Sequence, residues 1–200
     1  MTTAVFTFGR FQPPTTGHEV LVRGLIALAA AREGDAYVFV SSNQEKKLEN
    51  PLSVAQKVGY MRKQYPSGVT IVNTTEEKCT NLTAIVEWLK AAGYTKIVMG
   101  VGSDRVPGFR RIFEKEGLVE VVPIGKKRNS GNSVAGMSGT KLRAAATRRN
   151  LDTFKQGVMI GSMTEENAAA LMENVRAGMG LEGGSSKKAR RRRTYKLRRD

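Results

Sequence analysis

The stretch that most constrains this chain is residues 9–18, Gly-Arg-Phe-Gln-Pro-Pro-Thr-Thr-Gly-His. An apolar run, Ala4-Val5-Phe6-Thr7-Phe8, leads in, and a helical pattern leads out from Glu19. A strand that stops at a turn and hands over to a helix presents backbone N–H groups to whatever sits above it. It presents the positive end of the helix dipole as well. Phosphate is the usual guest of such a turn. No G-x-x-x-x-G-K-[ST] occurs in the chain, so this is not the P-loop arrangement.

The pattern around this turn predicts alternating strands and helices. Residues 3–8 read as a buried strand. Residues 18–33 read as a helix with Leu21, Leu25 and Leu28 on one face, ended by Gly34, with a turn starting at Asp35. Ala36–Val40 is too continuously apolar for a half-exposed strand and suits a parallel sheet covered on both faces. Ser41 to Pro51 is a polar loop, and Ser53 caps a helix to about Tyr65. Further strands are expected at 69–72, 96–99 and 119–122. Further helices are expected at 81–92, from Pro107 to Glu116, and from Ser138 or Gly139 to about Arg149. Trp88 falls on the amphipathic face of the 81–92 helix and reads as packing.

This spacing implies an α/β fold: a doubly wound, mostly parallel five-stranded sheet with helices on both faces. Ligands of such sheets bind beyond the carboxyl ends of the strands. Residues 9–18, 41–51 and 100–104 all fall there. The organisation expected is a main domain over 1–150, a helical extension over 151–180 and a flexible basic tail over 181–200. The extension has a helical turn at 151–156 and a helix at 164–178. Residues 125–136 read as loop, and 178–186 as a Gly/Ser linker.

Charge separates two questions. The net charge is +15, and residues 185–200 carry nine Lys/Arg against one Asp. The remaining +7 (15 − 8) suits a polyanionic substrate such as a nucleotide. The tail is expected to bind nucleic acid without sequence preference at low salt. Cys79 is the only cysteine, which excludes a disulfide framework and a thiolate metal site. No apolar stretch approaches the ~20 residues of a membrane span, and no signal-peptide pattern is present. The expectation is therefore a reduced, cytoplasmic setting without a membrane partner.

A second constellation is Met137-Ser138-Gly139-Thr140-Lys141-Leu142-Arg143, two hydroxyls and two cations at a helix start. Its N–H groups and side chains can converge on one anion. A third is Asn50-Pro51-Leu52-Ser53 with Lys57 one turn inside the helix, and a fourth is Gly102-Ser103-Asp104 after the fourth strand. On residues alone, Asp104 reads equally as a turn-stabilising group.

These residues carry a resemblance. Gly9–His18 resembles the T/H-x-G-H signature of the nucleotidyltransferase (cytidylyltransferase-like) superfamily. Gly-Arg-Phe-Gln-Pro is most similar to nicotinamide-mononucleotide adenylyltransferases of the archaeal type. Residues 137–143 resemble that family's second signature, Ile-Ser-Ser-Thr-x-x-Arg, with Met137 for Ile and Gly139 for the second Ser. Asn50–Ser53 is similar to its Asn-Pro-Phe-Thr. Lys57 stands where the family has a phosphate-contacting Arg, keeping the charge without the bidentate fork. Gly102–Asp104 is similar to a Gly-x-Asp that touches the ribose. The resemblance covers residues 3–149.

What it implies is a transfer of AMP from ATP to a phosphorylated acceptor, foremost nicotinamide mononucleotide, giving NAD and pyrophosphate. Mg²⁺ is expected to be carried by the triphosphate, with no metal ligands from the protein. Catalytic roles fall to His18, Thr15 and Arg143. Nucleotide contacts fall to Gly9, Arg10, Phe11, Gln12, Gly17, Lys57, Gly102, Asp104, Ser138, Thr140 and Lys141. A cytidylyltransferase acting on a phosphorylated alcohol would share the phosphate motifs. A reading from another class is a nucleic-acid-associated or assembly protein on this fold, of the kind found in large bacteriophages. An oligomer is left open.

Overall fold

Strand β1 (Thr3–Gly9) is the centre of the sheet because its residues are apolar on both faces. Ala4, Val5 and Phe6 are fully buried. The computed structural model describes residues 2–43, 45, 47–113, 119–125 and 137–181. The end of the helix read to Glu116, most of the 125–136 loop, the linker from 182 and the basic tail lie outside the described residues.

Around β1 the order is β3-β2-β1-β4-β5, every pairing parallel, with β2 at Gly34–Val40, β3 at Thr70–Asn73, β4 at Lys96–Val101 and β5 at Val119–Pro123. Side chains alternate between two cores, as a strand period of two requires. Ala4, Phe6, Phe39, Ile97 and Met99 face one core, with helices α3 (Leu82–Ala91) and α4 (Val106–Phe113). Val5, Val38, Val40 and Val98 face the other, with α1 (Thr16–Ala31) and α2 (Val54–Gln64). Strand order therefore reverses between β1 and β4, which opens a crevice beyond their carboxyl ends. Trp88 packs edge-on against Tyr37 and Phe39, and its Nε1 donates to Glu77.

Two boundaries differ from the sequence reading. Gly34 does not end α1: Glu33 takes the left-handed conformation (φ 50°) and Gly34 opens β2, paired with Thr3. A Cβ on Gly34 would lie 2.3 Å from the Thr3 carbonyl oxygen, so close strand approach, rather than helix capping, requires the glycine. Strand β4 continues through Gly100 and Val101, because β5 pairs with it up to Pro123. The loop proper begins at Gly102.

The chain after 150 closes over the second motif. Helix α5 (Gly139–Thr147) turns Leu142, Ala145 and Ala146 inward at helical spacing. They share a third core with Leu52, with Phe154 and Val158 of α6 (Leu151–Val158), and with Leu171 and Val175 of α7 (Glu165–Gly178). The expected short turn at 151–156 is thus a full helix, and residues 151–180 share a core with α5. Arg176, buried on α7, donates through Nη1 to the Ala146 and Thr147 carbonyls at 2.5 and 3.4 Å, and through Nη2 to Leu181 at 3.1 Å. A cation at the C-terminal carbonyls of α5 satisfies acceptors that the helix leaves open and complements its dipole. Arg176→Ala removes these donors from buried carbonyls. It is expected to cost about 2–4 kcal/mol of stability, measured by denaturant unfolding.

Candidate active site

The turn after β1 is held by its carbonyls. The Gly9 carbonyl accepts from Ser41 N–H at 2.9 Å, the Arg10 carbonyl from Lys57 Nζ at 3.0 Å, and the Gln12 carbonyl from Arg143 Nη1 at 2.6 Å. A trans peptide points its N–H opposite to its C=O. With the first two carbonyls turned toward β2 and α2, the N–H groups of Arg10 and Phe11 project to the other side, into the crevice between β1 and β4. Phe11 makes the bend by adopting φ 48°. Successive N–H groups at such a bend form an anion-binding concavity.

The side chain of Gln12 is buried and exchanges two hydrogen bonds with the Leu52 backbone, at 2.8 and 2.9 Å. It ties the turn to the Asn50–Ser53 segment much as a strand neighbour would.

His18 occupies the third position of α1 and completes a capping box with Thr15. Its backbone N–H donates to the Thr15 hydroxyl at 3.3 Å, and the Thr15 N–H donates to His18 Nδ1 at 3.1 Å. A backbone N–H can only donate, so Nδ1 is an acceptor and the neutral ring carries its proton on Nε2. The ring packs 4.9 Å from Phe11 and lines the crevice, which it supplies with an N–H donor. Thr15, 1% exposed, therefore orients His18 and does not reach the crevice itself.

The second motif faces the first. Ser138 caps α5 through its hydroxyl to Lys141 N–H at 3.3 Å, and Thr140 Oγ1 accepts from Arg143 Nη2 at 3.1 Å. Burial, then the nearby positive charge of Arg10, lowers the Arg143 pKa, and Glu49 partly offsets this. Arg10 is itself 3.5 Å from Glu49. Two nearby cations that share one exposed carboxylate, paired to Arg10, favour an incoming anion.

The crevice gathers Gly9, Arg10, Phe11, Gln12, His18, Gly102, Ser138, Thr140 and Arg143 of the residues singled out in the sequence. It does not gather Gly17, inside the first turn of α1, nor Lys57, buried beneath the turn. Asp104 and Lys141 are exposed and off its walls. Sequence reasoning did not assign Thr7, Phe8, Leu21, Val101, Arg105, Phe109 and Gly139 to the site, and these complete the lining. Arg105 and Phe109 were findable from the switch-point rule, since both follow β4 at the reversal. No group of three or more His, Cys, Asp or Glu converges among the described residues. No helix among them is long and apolar enough to cross a membrane.

A parallel sheet with a donor-lined crevice at its switch point, flanked by the N-termini of α1 and α5, defines a nucleotide-handling α/β protein. A family model described as cytidylyltransferase-like matches residues 6–145, and the chain belongs to that family of nucleotidyltransferases. Solved structures share the fold. A candidate nicotinate-nucleotide adenylyltransferase from Vibrio parahaemolyticus has TM-score 0.58 at 14% identity, covering 86% of this chain and 99% of that one. A nicotinic acid mononucleotide adenylyltransferase from Plasmodium falciparum, complexed with NaAD, has TM-score 0.57 at 12% identity, covering 88% and 96%. A bifunctional NMN adenylyltransferase/ADP-ribose pyrophosphatase from Francisella tularensis has TM-score 0.54 at 13% identity, covering 89% of this chain and 52% of that one. No curated protein sequence matches this chain.

Gly139, which departs from the Ser of the family signature, has a local reason. A Cβ there would lie 2.6 Å from the Gln12 carbonyl oxygen and 3.3 Å from Arg143 Nη1. Gly139→Ser, although it restores the family residue, is expected to destabilise the protein by about 1–3 kcal/mol through overpacking. Chemical denaturation against wild type checks this.

Proposed function

We propose that this nucleotidyltransferase moves AMP from ATP to nicotinamide mononucleotide, releasing NAD and pyrophosphate. The observation that carries this reading is the 2.6 Å bond from Arg143 to the Gln12 carbonyl, which joins the two motifs into one site. The acceptor is favoured by the Gly-Arg-Phe-Gln-Pro turn and by a fold shared with adenylyltransferases of pyridine mononucleotides. In this reading the acceptor's phosphate oxygen attacks the α-phosphorus of ATP in line. The bond to the bridging oxygen breaks, and pyrophosphate leaves with its electron pair. No covalent enzyme intermediate is needed, so the protein contributes positioning and charge stabilisation.

The roles follow the geometry. His18 Nε2–H and the N–H groups of Arg10 and Phe11 stabilise charge on the transferring phosphates. Arg143, Thr140 and Ser138 hold the β- and γ-phosphates. Phe8, Gly102, Arg105 and Phe109 form the wall left for the bases and the acceptor. The crevice offers donors and cations, a set that fits phosphate oxygens. Mg²⁺ accordingly enters on the triphosphate, where it would neutralise charge.

Pyrophosphate release with Mg²⁺, each nucleoside triphosphate and a panel of phosphorylated acceptors tests this. ATP with nicotinamide mononucleotide is expected to win. CTP with a phosphorylated alcohol would instead support the cytidylyltransferase reading, and no release with any pair would support a binding or assembly role. The basic tail is proposed to contact nucleic acid. Deleting residues 185–200 should leave turnover unchanged and weaken salt-sensitive DNA binding.

His18 has a structural and a chemical duty that two variants separate. His18→Ala loses the Nε2–H donor and half of the capping box. Turnover should fall by roughly 10²–10³ and stability by about 0.5–1 kcal/mol. His18→Glu keeps a capping-box acceptor but has no N–H to donate, so its melting temperature should stay near wild type while turnover still falls. Equal turnover in His18→Glu and wild type would remove His18 from the chemistry.

A further inference from the structure

Lys57 is 1% exposed, yet its ammonium ends on two neutral groups, the carbonyls of Arg10 (3.0 Å) and Ser41 (2.5 Å). Among the described residues no carboxylate pairs with it. A buried cation without an anion is costly, and burial pushes its pKa down to about 8. Among the described residues, the charged or titratable groups on the elements around it are Arg10 on the turn, His18, Glu19 and Arg23 on α1, and Glu45, Lys47 and Glu49 on the 41–51 loop. Tyr60, Arg62 and Lys63 share its helix, Lys141 and Arg143 lie on α5, and Glu165, Glu166, Glu173 and Arg176 lie on α7.

The peptide that Lys57 grips is the one whose N–H, on Phe11, faces the crevice. An anion seated on that N–H would complete one line of hydrogen bonds running back through the peptide to the ammonium, in which each bond polarises the next.

We propose that Lys57 is a positioning residue whose ammonium acts on the substrate's phosphates from behind the Arg10–Phe11 peptide, with the phosphates serving as its missing counter-anion. This rests on the nucleotide-binding reading above and alters the expected role of Lys57, from direct phosphate contact to indirect support. A seated triphosphate stabilises the protonated amine, so binding takes up a proton wherever the empty site has lost it. Affinity should then be steady below about pH 8 and fall as pH rises beyond it.

The test is MgATP binding by calorimetry across this window. ATP phosphates titrate near about pH 6 and stay ionised throughout. Wild-type affinity should weaken roughly tenfold between about pH 7.5 and about pH 9.5. Lys57→Met should bind several-fold more weakly at the lower pH, with little further change as pH rises. Lys57→Arg, which cannot lose its proton, should also lose the pH dependence.

Should the variants fail to fold, wild type alone decides the question. Near about pH 8.5, titrations in buffers of different ionisation enthalpy should show net uptake of a large fraction of one proton. No uptake, or a wild-type slope retained in Lys57→Met, would overturn the proposal while leaving the nucleotide reading intact. No MgATP binding at any pH would overturn both.

Discussion

The site depends on where three carbonyls point. Those of Gly9, Arg10 and Gln12 are bound by the Ser41 N–H, Lys57 and Arg143. A peptide's two polar ends oppose each other, so tying the carbonyls of Gly9 and Arg10 from behind aims the following N–H groups forward. An anion site made of backbone is preorganised only when the backbone cannot turn over. Here β2, α2 and α5 each supply one restraint. Because every restraint is a hydrogen bond at least partly shielded from water, losing one also leaves an acceptor poorly satisfied, which makes the arrangement stiff.

One of those restraints comes from outside the parallel sheet. Arg143 reaches Gln12 only because α5 is held at the correct angle, and α5 is held at both ends. Its N-terminus sits against the Gln12 carbonyl, close enough that residue 139 has no room for a Cβ. Its C-terminal carbonyls rest on the buried guanidinium of Arg176. The helices after residue 150 thus belong to the site's mechanics, although no residue of theirs lines the crevice. A sheet of five strands positions β1 and β4, but the second motif needs a separate core, and α6 and α7 provide it.

Most of the layered fold was legible in the sequence because apolar period and length are local properties. Residues 3–8, 36–40 and 96–99 read as strands, and they are. What was not legible depends on partners distant in sequence. Gly34 looks like a helix stop on local grounds, and only the pairing with Thr3 shows why a side chain is excluded. The length of β4 is set by β5, not by its own glycine. Thr15 and Lys57 have the residue types of phosphate ligands, and sequence does not tell whether such a side chain faces the ligand or the backbone that holds it. Gln12 carries the same ambiguity: its amide bonds to Leu52, forty positions away. Arg105 and Phe109 carry no motif and become candidates only once the strand order is known.

Two of the three departures from the family signatures meet at one place. Lys57 replaces an Arg, and Gly139 replaces a Ser. Taken singly, each loses a group that could touch phosphate: a bidentate fork in one case, a hydroxyl in the other. In the fold both residues, from α2 and α5, meet the same short turn. Lys57 grips the carbonyl of Arg10, and Gly139 closes on that of Gln12. A compact ammonium can donate to two carbonyls from a buried position where a planar guanidinium would need more room. The missing Cβ lets α5 approach where a serine would stand it off. Both residues meet the backbone of the turn itself. The side chains that line the crevice, among them His18, Ser138, Thr140 and Arg143, thus stand around a turn that Lys57 and α5 hold from outside it.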